Sequence, residues 1–266
     1  MLAISKSISL VGVSGHLIDV EADIGNGVPG FTLLGLPDAS LSEAKDRVRS
    51  AIINSAETWP NKRITLALSP AALPKRGSSF DVAISLSLLA AAEELTLERV
   101  ENAVLLGELT LDGRIKSVPG ILPALRAARD CGITQAVIPS ENFHEGELVS
   151  NIDLFHFAHL RDLVLWLRSG EYLSVTPEQQ VEAAEQVREV DFSDIAGQES
   201  AKGAIEIAAI GGHHVAMVGP PGVGKSMVAE RIPTILPLLT DTQSLEVTAL
   251  HSIAGKISAK IGRAHV

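Results

Sequence analysis

Apolar and polar positions interleave from Ile4 to Val13 and again from Leu17 to Ile24, which predicts two strands, each with one covered face. The Ser14-Gly15 pair between them reads as the turn that joins them. Phe31–Leu34 predicts a third, short strand between Gly30 and Gly35-Leu36-Pro37. The period then lengthens. Leu41, Ala44, Val48, Ala51 and Ile52 fall on one helical face behind the capping box Ser40-x-x-Glu43, so a helix is predicted to about Ser55. A strand at Arg63–Leu68, an apolar helix at Ser79–Glu94 and a strand at Val104–Leu111 follow. Asp112-Gly113 turns that strand into Arg114–Val118. A helix at Ile121–Cys131, strands at Ala136–Pro139 and Leu154–Ala158, and a helix ending at Leu167 complete the first region. Strands and helices in alternation predict an α/β domain over residues 1–168.

The pattern breaks from Ser169 to Val190, where Glu and Gln accumulate around Pro177-Glu178-Gln179-Gln180; residues 169–190 read as a linker. A second domain is predicted over 191–260, with a helix at Ser200–Ile210 and a short apolar strand at His214–Val218. Directly after that strand stand Gly219-Pro220-Pro221-Gly222-Val223-Gly224-Lys225-Ser226, which match the phosphate-loop pattern GxxxxGK[ST]. Its glycines let the backbone curl so that several N–H groups converge on a triphosphate. A helix predicted from Lys225 to Ile232 would add its N-terminal partial charge. Lys225 is expected to reach the outer phosphates of ATP, and Ser226 to hold Mg²⁺ through its hydroxyl.

Composition narrows the remaining choices. The chain of 266 residues is 46% hydrophobic and 20% charged, ample for two cores, but only 3% aromatic, so aliphatic side chains must fill them. A net charge of −10 argues against a protein that coats DNA, while leaving room for a local basic loop. The single cysteine, Cys131, excludes an internal disulfide and suits a reducing compartment; it reads as a small helix-face residue. No signal peptide and no run of 18 apolar residues is found, so a soluble, cytoplasmic protein is expected. The last residues, Ile-Gly-Arg-Ala-His-Val at 261–266, are what a common sequencing-adapter stretch (ATC GGA AGA GCA CAC GTC) translates to. They read as a scar on a gene interrupted near residue 260.

Phosphate-loop hydrolysis also needs an apolar strand ending in an acidic pair, and an arginine from a neighbouring subunit. Only 40 residues follow Ser226, and none forms such a strand; Ile235–Asp241 comes nearest but carries Pro237 and reads as a connector. The chain as written is therefore expected to bind ATP without turning it over, and no catalytic residue is assigned. His213-His214 lacks ligand-spaced partners and is not assigned to a metal. Lys75-Arg76 reads as a solvated loop, and Glu43, Asp38 and Asp46 as helix-surface charges.

Asp191-Phe192-Ser193-Asp194-Ile195-Ala196-Gly197-Gln198, then Gly211-Gly212-His213-His214 and the glycine-rich loop, resemble the start of the magnesium-chelatase-like AAA+ module. The stretches Gly30–Pro37, Leu73–Asp81 and Gly107–Gly113 resemble its usual partner, a Lon-protease-like domain of the ribosomal-S5-type fold. The combination is similar to the YifB/ComM family of bacterial proteins over residues 1 to about 257. That resemblance implies an α+β Lon-like domain followed by the start of a P-loop α/β domain. It implies a hexameric AAA+ ATPase that uses ATP and Mg²⁺, with DNA as partner, since ComM members are taken to drive branch migration during natural transformation. It does not imply metal insertion into porphyrins. A protein-remodelling ATPase, or a Lon-like domain that serves only to oligomerise, stay open as alternatives. Lon chemistry pairs a serine with a lysine base. Ser79 stands at the serine's place, but Leu122 stands at the lysine's and Lys116 lies off the motif, so no peptidase is expected; Ser79 reads instead as a helix start or cap.

Overall fold

The computed structural model describes residues 1–35, 43–75, 77–172 and 190–255. The chain divides into two compact units, one formed by Met1–Glu178 with Thr248–Ile257 and the other by Gln179–Val247 with Ser258–Val266.

In chain order the first unit contains strands β1 (Leu2–Val11), β2 (Ser14–Gly25) and β3 (Gly30–Leu34), helix α1 (Ala44–Asn54), strand β4 (Arg63–Ser69) and helix α2 (Asp81–Ala91). Strands β5 (Ala103–Leu105), β6 (Glu108–Leu109) and β7 (Ile115–Lys116) precede helix α3 (Ile121–Asp130), strand β8 (Gln135–Pro139), the one-turn helix α4 (Phe143–Gly146), strand β9 (Asp153–Phe157) and helix α5 (Leu160–Ser169). Seven strands form one sheet in the order β3-β4-β2-β1-β5-β8-β9, and β6 and β7 form a separate ribbon. Within the seven-stranded sheet the β1–β2 and β2–β4 pairs are antiparallel and the other neighbours run parallel; β6 and β7 pair antiparallel. The fold is α/β with a mostly parallel sheet.

Strand β1 reverses the usual rule of polar side chains facing out. Ser5, Ser7 and Ser9 are buried, as is Ile8 on the other face, and the serines share the face toward α2. Ser5 Oγ donates to Ala83 O at 3.0 Å, Ser7 Oγ to Leu105 O at 2.9 Å and Ser9 Oγ to Pro74 O at 2.9 Å. From the helix side, Ser87 Oγ lies 2.7 Å from Ser5 Oγ and 2.9 Å from Val20 O. A hydroxyl is small enough to let helix and sheet approach closely, and satisfying it removes the penalty for burying it. The opposite face of the same strand carries Ile8, beside which Gly15 sits so close to Ala127 of α3 that a Cβ there would stand 2.5 Å from the alanine's own. Successive strand residues point to opposite faces, so α2 and α3 cover β1 from either side.

All eleven residues of α2 are buried. Its apolar residues join Ile18, Val20, Ile64 and Leu66 of the sheet, Val48 and Ile52 of α1, and Leu160 and Leu163 of α5 in one core. Inside it Asp81 is fully buried. Arg47 of α1 meets its carboxylate with both nitrogens, Nε to Oδ2 at 2.9 Å and Nη2 to Oδ1 at 3.2 Å, and Leu109 N donates to Oδ2 at 3.2 Å. Burial raises the Asp81 carboxyl to about 6, against the pull of Arg47, whose own pKa is raised by its hydrogen bond to Asp81. The two shifts point opposite ways on the worth of the pair; for the enclosed carboxylate, loss of water outweighs a partner that keeps 19% of its side chain in solvent.

Three expectations change here. The strand foreseen over Val104–Leu111 is interrupted at Leu106-Gly107, because Gly107 takes φ +150 and gives its N–H to Ser79 O at 3.0 Å. Ser79 does not cap α2, whose N-cap is Phe80 with no side-chain hydrogen bond. Lys75 is not a solvated loop residue: it is fully buried, its ammonium donates to the Pro70 carbonyl, and desolvation lowers its pKa. Ser40 and Leu41 of the foreseen capping box, together with Asp38 and Arg76, lie outside the described residues, as do most of the linker and the terminal stretch 261–266.

At the far end of the sheet β9 is wrapped in aromatic rings. Phe155 and Phe157 lie 4.6 and 5.4 Å from Trp166, and the Tyr172 hydroxyl accepts from His156 N at 2.9 Å. His156 is buried against Phe143, with ring centroids 4.5 Å apart. Its Nδ1 lies 3.1 Å from Ser140 Oγ, while Nε2 has no hydrogen-bond partner among the described residues. Burial lowers its pKa.

Two predictions follow from the buried ionisable groups. Asp81 holds its proton more tightly folded than unfolded, so its contribution to stability is full below the unfolded value near 4 and is lost as pH rises through about 6. Arg47→Ala should therefore cost about 3 kcal/mol in urea unfolding at pH 8, and distinctly less at pH 5, where the carboxyl is largely protonated. His156 works the other way: its contribution is present above about 6.5 and fades as pH falls below that, by about 1.4 kcal/mol per pH unit at most. The urea midpoint of His156→Phe should fall less than the parent's between pH 7 and pH 5.5.

Candidate functional site

The second unit is built on a small core. Phe192, Ile195, Ile205 and Val228 are buried together, with Met217, Met227, Ile232 and Ile235 against them. Asp191 starts the chain into this core through a capping box: its carboxylate accepts from Ser193 N at 2.8 Å, and Asp194 Oδ2 accepts from Asp191 N at 2.9 Å. Helix α6 (Glu199–Gly211) supplies Ile205, and the short helix α7 (Lys225–Ala229) supplies Met227 and Val228. Met217 fixes the segment entering the glycine-rich loop and Val228 the segment leaving it, so the loop is pinned at both ends by apolar contacts.

Between those anchors Gly222 and Gly224 take φ +85 and +87, a region that side chains with a Cβ rarely adopt. The Lys225 ammonium folds back across the loop and donates to Gly219 O and Pro220 O, both at 2.8 Å. Ser226 is exposed on the first turn of α7. A second link was not legible in the pattern. Gln198, the N-cap of α6, sends its side-chain amide to Val223 O at 3.2 Å, a contact between residues 25 apart in sequence that no local spacing announces.

The neighbouring elements depart from expectation. His214–Val218 joins no ladder among the described residues, and Val218 is 99% exposed. A strand exists only as one member of a hydrogen-bonded pair, and no described segment lies alongside this one. Helix α7 is five residues long; a 3-10 turn, Ile232–Ile235, with Pro233 near its start, takes over where a longer helix was foreseen.

In the first unit the residues corresponding to a serine–lysine dyad do not form one. Leu122 is fully buried at the start of α3, and its N–H donates to Glu145 Oε1 at 2.8 Å. Lys116 stands opposite Glu108 in the β6–β7 ribbon and is exposed, while the Glu108 carboxylate accepts from Ser78. An aliphatic side chain where a base is needed leaves Ser79 without activation.

Comparison with known proteins finds relatives of both units. Residues 20–142 match a family model described as subunit ChlI of Mg-chelatase, and residues 191–264 match a second, magnesium chelatase, subunit ChlI. An uncharacterised protein of Mycobacterium tuberculosis is 46% identical over 95% of this chain and 50% of its own length. The competence protein ComM of Haemophilus influenzae is 39% identical over the same shares. YifB of Escherichia coli, also uncharacterised, is 38% identical over 97% of this chain and 51% of its own. The Lon protease of Mycolicibacterium smegmatis is 27% identical over 52% of this chain and 18% of its own. The chain thus combines two stretches matched by magnesium-chelatase family models with a similarity to Lon protease over about half its length. The chain belongs to the YifB/ComM family of magnesium-chelatase-like AAA+ proteins, and it spans about half the length of the curated relatives it matches.

Peptide hydrolysis at Ser79 should be absent. A fluorescent casein substrate or a serine-directed phosphonate should give the same signal with the parent and with Ser79→Ala; phosphonate labelling lost in the variant would establish a reactive serine.

Proposed function

We propose that residues 191–260 are the nucleotide-binding part of an ATPase that acts as a ring, and that Gly219, Pro220, Pro221, Gly222, Val223, Gly224, Lys225 and Ser226 hold ATP. The loop geometry carries this reading: two left-handed glycines shape the loop, and a lysine already rests on the carbonyls that flank its hollow. These residues fit a triphosphate with its magnesium ion. Backbone amides of the loop would take the phosphates, Lys225 would exchange its two carbonyl partners for phosphate oxygens, and the exposed Ser226 hydroxyl would be one ligand to Mg²⁺. The bound ion would neutralise phosphate charge during transfer.

In this reading residues 1–168 form a Lon-like domain without peptidase chemistry, followed by the linker 169–190. Its role is to scaffold the ring or to face the substrate. The intact protein is a hexameric, cytoplasmic motor that moves branched DNA during uptake and recombination. The printed name of one relative, competence protein, supports that direction. Among the described residues no helix is long and apolar enough to cross a membrane.

The test is ATP turnover by the full-length protein with and without a four-way DNA junction. Stimulation by the junction is expected, and Lys225→Ala should lower turnover at least tenfold. Turnover that ignores DNA but responds to a polypeptide would overturn the DNA assignment, and turnover unchanged by Lys225→Ala would place the chemistry elsewhere.

A further inference from the structure

Gln198 is held in a conformation its residue type disfavours, with φ +55 and ψ +38. Strain of this kind persists where surrounding contacts impose it, and it concentrates at working sites. Here two sets of contacts meet on one residue. The Gln198 carbonyl starts helix α6 by accepting from Ala201 N at 2.9 Å and Lys202 N at 3.0 Å. Its side-chain amide turns the other way and donates to Val223 O at 3.2 Å, inside the glycine-rich loop. The contact is close on both flanks: a Cβ added to Gly224 would stand 3.1 Å from Gln198 Nε2.

The consequence follows from peptide geometry. In a trans peptide the C=O and the following N–H point to opposite sides of the chain. A donor that holds Val223 O toward Gln198 therefore turns the N–H of Gly224 away from it. The 223–224 peptide turns about ψ of Val223 and φ of Gly224, and Gly224, at φ +87, sets no Cβ against such a turn. A hydrogen bond to the Val223 carbonyl from outside the loop therefore favours one amide orientation over the other.

We infer that Gln198 is a positioning residue: it fixes the 223–224 peptide so that the Gly224 amide is presented to a phosphate group, and it does so from the N-terminus of α6. This rests on the nucleotide reading of the loop. It adds a residue outside the phosphate-loop pattern, and it makes the segment ending in Gly197-Gln198 part of the phosphate site.

Strain and grip can be separated by substitution. Gln198→Gly removes both. Gln198→Asn keeps an amide and tolerates the left-handed backbone, but is one methylene too short to reach Val223 O. Both variants of the full-length protein should melt at or above the parent temperature, since backbone strain is relieved. Both should bind a fluorescent ATP analogue with Mg²⁺ about twofold to twelvefold more weakly, the range expected for losing one hydrogen bond. ADP and ATP affinities should fall together, while adenosine, lacking phosphates, should bind parent and variants alike. Parent-like ATP affinity in both variants would sink the inference and leave the nucleotide reading standing. Variants that melt early and lose adenosine as well would make Gln198 a purely structural residue. If the parent itself binds no ATP and Lys225→Ala changes nothing, the nucleotide reading fails and this inference with it.

Discussion

Helix α2 imposes the organising demand on the first unit. It is buried along all eleven of its residues, and a helix apolar all round is stable only where it is enclosed on every side. Enclosure takes Ser85, Ser87 and Asp81 out of water, and each such group left unpaired would cost about 1–3 kcal/mol. The neighbours are arranged to prevent that. Ser87 reaches Ser5 and Val20 O, Ser85 folds onto Val82 O at 2.8 Å, and Arg47 with Leu109 N holds Asp81. The serines of β1, the ion pair from α1 and the break at Gly107 are all answers to one buried helix.

The second unit solves a different problem with fewer residues. A few buried side chains hold α6, α7 and the two ends of the glycine-rich loop, while the loop itself is exposed and shaped by left-handed glycines. Rigid ends with a backbone-lined middle suit a site that recognises charge and geometry rather than apolar surface. In the first unit, by contrast, the position that corresponds to a Lon-type base is the buried, aliphatic Leu122.

Much of this was legible in the chain because its patterns are local. The helical period placed Ala44, Val48, Ala51 and Ile52 on a buried face, and the spacing of glycines with Lys225 and Ser226 marked the loop. What escaped was set by distant partners. Ser5, Ser7 and Ser9 look like an outward face until α2 is known to lie against them. Lys75 reads as solvated because nothing near it in sequence shows that it is enclosed. Val215 to Val218 has the composition of a strand, but pairing depends on segments elsewhere. Gln198 was invisible for the same reason: its role is a single hydrogen bond across 25 residues.

The enclosure of α2 also sets a clock. Amide protons on its inner turns are shielded by sheet and helices at once, so they can exchange with solvent only when the whole unit comes apart. Deuterium uptake there would read the global opening free energy of the Lon-like unit, undisturbed by whatever its exposed loops are doing.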